Sequence, residues 1–146
     1  MNNHEIKISQ KYLPFVLTVG IMIFDQITKY LVVVNIGYRA IGLRIFGDFI
    51  WIIHTKNLGV AFSIGDSLPE VARRLLFIIF PLIVMALVVV YYFKAKDLTP
   101  GMRWAFAGIL GGGLGNQIDR VFRPDGVVDF LSVKFYGIFG MQRFAA

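Results

Sequence analysis

The sequence predicts a membrane α-helical fold: three transmembrane helices, with a small extramembrane β-element in the loop after the first. Three observations lead there. Hydrophobic residues make up 57% of the 146 residues and charged ones only 16%, so lipid suits this chain better than water. The apolar residues fall into blocks of spanning length, and most Lys and Arg residues sit just outside those blocks. No internal repeat or low-complexity tract divides the chain, so 1–146 reads as a single membrane domain.

The totals also exclude chemistry. A formal charge of +6 invites a nucleic-acid reading, but basic residues bordering apolar blocks meet anionic headgroups instead, and nucleic acid is not an expected partner. With no cysteine there is no disulfide, thiolate metal site or cysteine nucleophile. His4 and His54 are too few for a zinc site, and neither a metal nor a cofactor is expected.

Residues 1–12 are polar and place Lys7 and Lys11 before the first predicted span, about 13–34. Roughly 20 helical residues cover about 30 Å of hydrocarbon, so this block is long enough. Asp25 and Lys29 lie inside it and no small-x-small site follows, so it reads as a retained span rather than a cleaved leader. The loop beyond is cut by Gly42, Gly47 and Gly59, and Phe49 to Ile53 is aromatic and β-branched, which predicts a β-like element at about 43–63. Leu68-Pro69-Glu70 opens the second helix, whose predicted span is about 75–93 with Pro81 as a kink. After the Thr99-Pro100-Gly101 turn comes the third, about 102–121, where Gly108 with Gly112 and Gly111 with Gly115 form small-xxx-small pairs for close helix approach. The tail from Phe122 shows no further span. The density of basic residues at Lys7, Lys11, Lys94, Lys96 and Arg103 places the N-terminus inside, so the β-like loop and the tail lie outside.

Ionisable groups within spans are the sites to inspect, because burying them in hydrocarbon is costly. Asp25, Thr28 and Lys29 have i, i+3, i+4 spacing and are expected on one helix face. Asn116, Asp119 and Arg120 repeat that spacing near the outer end of the third span. Asp129 follows in Val127-Val128-Asp129-Phe130, an apolar setting that raises a carboxylate pKa by desolvation and suits acid–base work. Two other chemistries fail. Ser132 and Lys134 are too weakly placed for a serine–lysine dyad, and the glycines at 111–115 lack the Gly-Lys-Ser/Thr of a phosphate loop.

Four segments in order resemble the lipoprotein signal peptidase (signal peptidase II) family: Phe24-Asp25-Gln26-Ile27-Thr28-Lys29, Asn57-Leu58-Gly59-Val60-Ala61-Phe62, Gly115-Asn116-Gln117-Ile118-Asp119-Arg120, and Val127-Val128-Asp129-Phe130. The resemblance covers essentially the whole chain. It implies a multi-pass aspartic endopeptidase of the bacterial inner membrane, its active site facing the periplasm. Such an enzyme removes signal peptides from diacylglyceryl-modified prolipoproteins, cutting before the lipidated cysteine, with prolipoprotein and membrane lipid as partners. By resemblance, Asp129 matches the first catalytic aspartate, and Asp25, Asn57, Asn116, Asp119 and Arg120 match positions that line or brace the pocket. The family pattern continues with a Phe-Asn-x-Ala-Asp motif, carrying the second aspartate, and a fourth span. Neither occurs in these 146 residues, so the chain is expected to be C-terminally truncated relative to that pattern. Asp119 is a poor substitute for the missing partner, since Arg120 beside it favours the ionised form. The alternative readings are an inactive member that at most binds precursor, and a non-enzymatic membrane subunit.

Overall fold

A computed structural model describes residues 8–47, 49–57, 68–123, 125–134 and 143–145. Helices α1 (Ile8–Tyr12) and α2 (Pro14–Asn35) run together over 28 residues. A second helix of 25 residues joins α3 (Glu70–Arg74), a π-helical turn (Leu75–Ile79) and α4 (Phe80–Lys94). Helix α5 (Pro100–Phe122) is the third. Strands β1 (Ile41–Ile45), β2 (Ile50–Asn57), β3 (Val127–Lys134) and β4 (Arg143–Ala145) form one antiparallel sheet in the order β1-β2-β3-β4. Of the β-like element expected at 43–63, residues 58–63 lie outside the described residues, as do Leu58 to Phe62 of the second family motif.

The helical part has the inverted pattern of a membrane protein. Phe24 is 71% and Leu87 62% exposed, whereas Lys29 and Asp119 are buried. In water this would waste apolar surface; in lipid it hides the costly groups and presents the cheap ones. The first two long helices have the length and apolarity to cross a membrane. Helix α5, at 23 residues, reaches about 34 Å, but its glycines together with Arg103, Asp119 and Arg120 leave it less apolar than the other two.

Glycine sets the distance between α2 and α5. A Cβ on Gly111 would lie 2.9 Å from both the Ile21 Cβ and the Thr18 carbonyl oxygen, so the two backbones come together there as only glycine allows. The Thr18 hydroxyl donates across the same contact to the Ala107 carbonyl at 2.8 Å. The expected small-residue pairing is corrected at Gly112, which has nothing within 4 Å of its Cβ position; Gly113 instead meets Met85 of α4. At the opposite end, Thr99 caps α5 by accepting from the Met102 N–H, and Pro100 opens it where no N–H is needed. Buried Arg103 packs over the Tyr92 ring, whose hydroxyl reaches back to the Lys11 carbonyl at 2.8 Å.

Pro81 does more than kink its helix. It has no N–H to give to the carbonyl of Phe77, four residues earlier. That carbonyl accepts from Gln117 Nε2 and Arg120 Nη1 of α5, each at 3.1 Å, just where the helix loosens into its π turn.

The tail was expected to hold no further span, and its described part holds two strands, β3 and β4. β3 lies antiparallel to β2, so the sheet grows out of the end of α5. A β-bulge between Ile52 and Thr55 of β2 shifts the register beside Asp129, which pairs with Thr55.

Candidate active site

Lys29 is the hub. Its ammonium lies 2.9 Å from Asp25 Oδ2, 2.9 Å from Asp119 Oδ2 and 2.9 Å from Asn116 Oδ1, so three donors of a buried side chain meet three acceptors. The i, i+4 spacing brings Asp25 and Lys29 together on α2, and docking on α5 supplies the other two partners. Gly115 makes room for this, since a Cβ there would sit 2.5 Å from Asp25 Oδ2. The Gln26 amide adds contacts to Asp25, Asp119 and the Gly115 carbonyl between 3.0 and 3.2 Å.

Asp119 is wholly buried and fully engaged. One oxygen takes Arg123 Nε at 3.1 Å, one turn further along α5; the other takes Lys29 and the backbone N–H of Val128 at 3.2 Å. Asp25, Asp119, Lys29 and Arg123 therefore make a balanced set of two anions and two cations. A buried set of this kind is tolerable because no charge is left over. The bond to Val128 also ties β3 to the helix pair one residue before Asp129.

Asp129 is 8% exposed. Burial pushes its carboxyl above the usual carboxylate range, opposed by a hydrogen bond from the Asn57 side chain and by the Lys29 and Arg120 charges, and assisted by Asp119. Asn57 reaches it from β2, where it pairs with Val127, two residues before Asp129 on the same face. Arg120 is held from behind by the Phe77 carbonyl and packs over the Phe77 ring, its charge felt by Asp129.

The structure thus gathers Asp25, Asn57, Asn116, Asp119, Arg120 and Asp129 into one region where α2, α5, β2 and β3 meet. It corrects one expectation: Thr28 does not pair with Asp25 or Lys29, for its hydroxyl donates to the Phe24 carbonyl at 2.8 Å. Sequence reasoning missed Gln26, Gln117 and Arg123 as site-forming residues. Arg123 had a signal in its i, i+4 distance from Asp119; Gln117 had only the carbonyl that Pro81 frees, which is unseen until the helices pack.

A helical membrane fold with a buried aspartate beside a charge-paired polar cluster is the arrangement of a class of membrane enzymes, as its likeness to known proteins bears out. Two solved structures described as bacterial membrane enzymes, determined in meso at 2.3 Å and 1.9 Å resolution, superpose with TM-scores of 0.74 and 0.75 at 27% and 26% identity. The alignments cover 91% and 90% of this chain and 76% and 81% of those chains. Residues 17–145 match the signal peptidase (SPase) II family. The lipoprotein signal peptidases of Treponema pallidum and Treponema denticola are 46% and 44% identical over 94% and 90% of this chain, which covers 74% and 76% of their length. That of Borrelia turicatae is 49% identical over 88% of this chain and 75% of its own. The chain belongs to the signal peptidase II family of membrane proteases.

Proposed function

We propose that this chain acts on diacylglyceryl-modified prolipoproteins, removing the signal peptide before the lipidated cysteine, with Asp129 as one aspartate of a catalytic dyad. Asp129 carries the reading: it is a buried carboxyl held by Asn57, with its pKa raised, on a strand tied to the end of α5. In such a dyad one carboxyl stays protonated while the other draws a proton from water. The water attacks the scissile carbonyl, and the protonated partner steadies the developing oxyanion and then protonates the leaving amine. Arg120 and Asn116 line the pocket, while Asp25 and Asp119 brace it through Lys29. The α2, α3–α4 and α5 helices form three spans of a bacterial inner membrane, and the sheet lies on the periplasmic side. Apolar helix faces such as that of Phe24 receive the substrate's acyl chains and favour lipidated over unlipidated precursor.

A second reading has its own support. Asp119, a carboxylate close to Asp129, already has both oxygens engaged by two cations and a backbone N–H. No Phe-Asn-x-Ala-Asp motif stands among these residues to supply another aspartate. On this second reading the described site binds precursor without cleaving it. One experiment separates the two: incubate the chain in lipid with a diacylglyceryl-modified precursor and follow the released signal peptide. Cleavage that drops at least about 10³-fold in Asp129→Asn supports the dyad role. Cleavage unchanged in that variant removes Asp129 from it, and binding with no cleavage by the parent chain establishes the second reading.

A further inference from the structure

The start of the 70–94 helix and the end of α5 border a half-open cavity of about 440 Å³. Apart from Arg120 and Arg123, its polar lining plays no part in the site above. Four guanidinium groups border it, those of Arg73, Arg74, Arg120 and Arg123, against a single carboxylate, Glu70. The nearby acids are already engaged: Glu70 with Arg74 at 2.6 Å and Asp119 with Arg123 at 3.1 Å, while the Asp129 charge acts on Arg120. Half-buried Arg73 has no carboxylate partner among the described residues. Cations gathered this way repel one another unless an anion sits between them.

The rest of the lining is apolar. Phe77 is buried, while Ile79 and Val121 are 46% and 54% exposed on the flanks of their helices. The cavity is thus basic where two helices end and apolar where they continue, matching the boundary between headgroups and hydrocarbon. Planar guanidinium groups bind phosphate oxygens through paired hydrogen bonds. The diacylglyceryl group of a prolipoprotein is uncharged and offers them nothing to neutralise.

We propose that this cavity binds a phosphate diester of an anionic phospholipid, with the acyl chains along Ile79 and Val121. Exposure of those two side chains favours a lipid as the source over free phosphate. The site is independent of the role given to Asp129, and its test reads binding rather than cleavage.

Native mass spectrometry of the whole chain in detergent micelles tests it, with phosphatidylglycerol, phosphatidylcholine or inorganic phosphate added in turn. Phosphatidylglycerol is retained about 10-fold or more over phosphatidylcholine, and Arg73→Gln with Arg74→Gln removes that preference. Arg73→Lys with Arg74→Lys keeps most of it, which separates loss of charge from loss of fold. Equal retention of the two lipids by the parent chain overturns the proposal without reference to any variant. An undiminished preference in the double glutamine variant also overturns it, and retention of inorganic phosphate in place of phosphatidylglycerol overturns the lipid source.

Discussion

Lys29 shows how a buried charge becomes structural. It has three partners at 2.9 Å, and two of them are carboxylates. Lys29→Met would leave Asp25 and Asp119 facing each other with Arg123 as the remaining counter-charge. The expected cost is about 3–5 kcal/mol, read from thermal unfolding in detergent, and a loss under about 1 kcal/mol would mean that the cluster rearranges freely. Asp129 gives the opposite case. Because its carboxyl is raised in the folded chain, the neutral form is favoured there, and its contribution to stability is full at low pH and lost as pH rises through the folded value. Asp129→Asn should therefore gain stability relative to the parent as pH is raised, with the difference fading below the ordinary carboxylate range; a gap that is constant with pH would contradict the shift. The apolar tetrad around Asp129 made its burial legible from sequence. Which oxygen of Asp119 meets which cation was not legible, because Lys29 and Val128 reach it only after separate elements dock.

Among the elements, the helices were readable and the sheet only half so. Apolar blocks and their basic borders announce α2 and α4, and Phe49 to Ile53 announces β2. β3 hides because Val127, Val128 and Asp129 are buried in succession, and a strand covered on both faces loses the alternation that marks one. Pro81 was legible as a kink, but its freed carbonyl acquires meaning only when Gln117 and Arg120 arrive from α5. Close helix approach was legible in the glycines, yet the sequence could not tell Gly111, which touches α2, from Gly112, which touches nothing. Gly111→Ala is accordingly expected to cost about 1–3 kcal/mol and Gly112→Ala close to nothing, compared by thermal unfolding of the two variants. Equal effects at both positions would break the link between Gly111 and helix spacing.

For the whole molecule, the absence of cysteine is an experimental convenience. On the three-span reading, Tyr38 lies outside and Asp97 inside. Tyr38→Cys should react with a membrane-impermeant maleimide in spheroplasts, and Asp97→Cys only after the membrane is opened. The reverse pattern would invert the orientation drawn from the basic residues. Relatives at 44–49% identity agree with the motif reading of the family. The third and fourth motifs were legible because they set buried Asp119 and Asp129 beside Gly115 and the Val127-Val128 pair. The arginine-lined cavity left no such trace: its members come from 70–79 and 120–126, and only packing joins them.

The two ion pairs on α2 and α5 also bear on how such a chain enters a bilayer. Asp25 with Lys29 and Asp119 with Arg123 are both one helical turn apart, so each of these carboxylates has a counter-charge from its own segment before the helices meet. An unpaired charge at the centre of a span costs about 2.5–3.5 kcal/mol to insert. Pairing within a helix avoids part of that for Asp25, Lys29 and Asp119, and when the two helices meet Lys29 extends to Asp119 while keeping Asp25. The same four residues thus serve as travelling companions during insertion and as cross-links after docking.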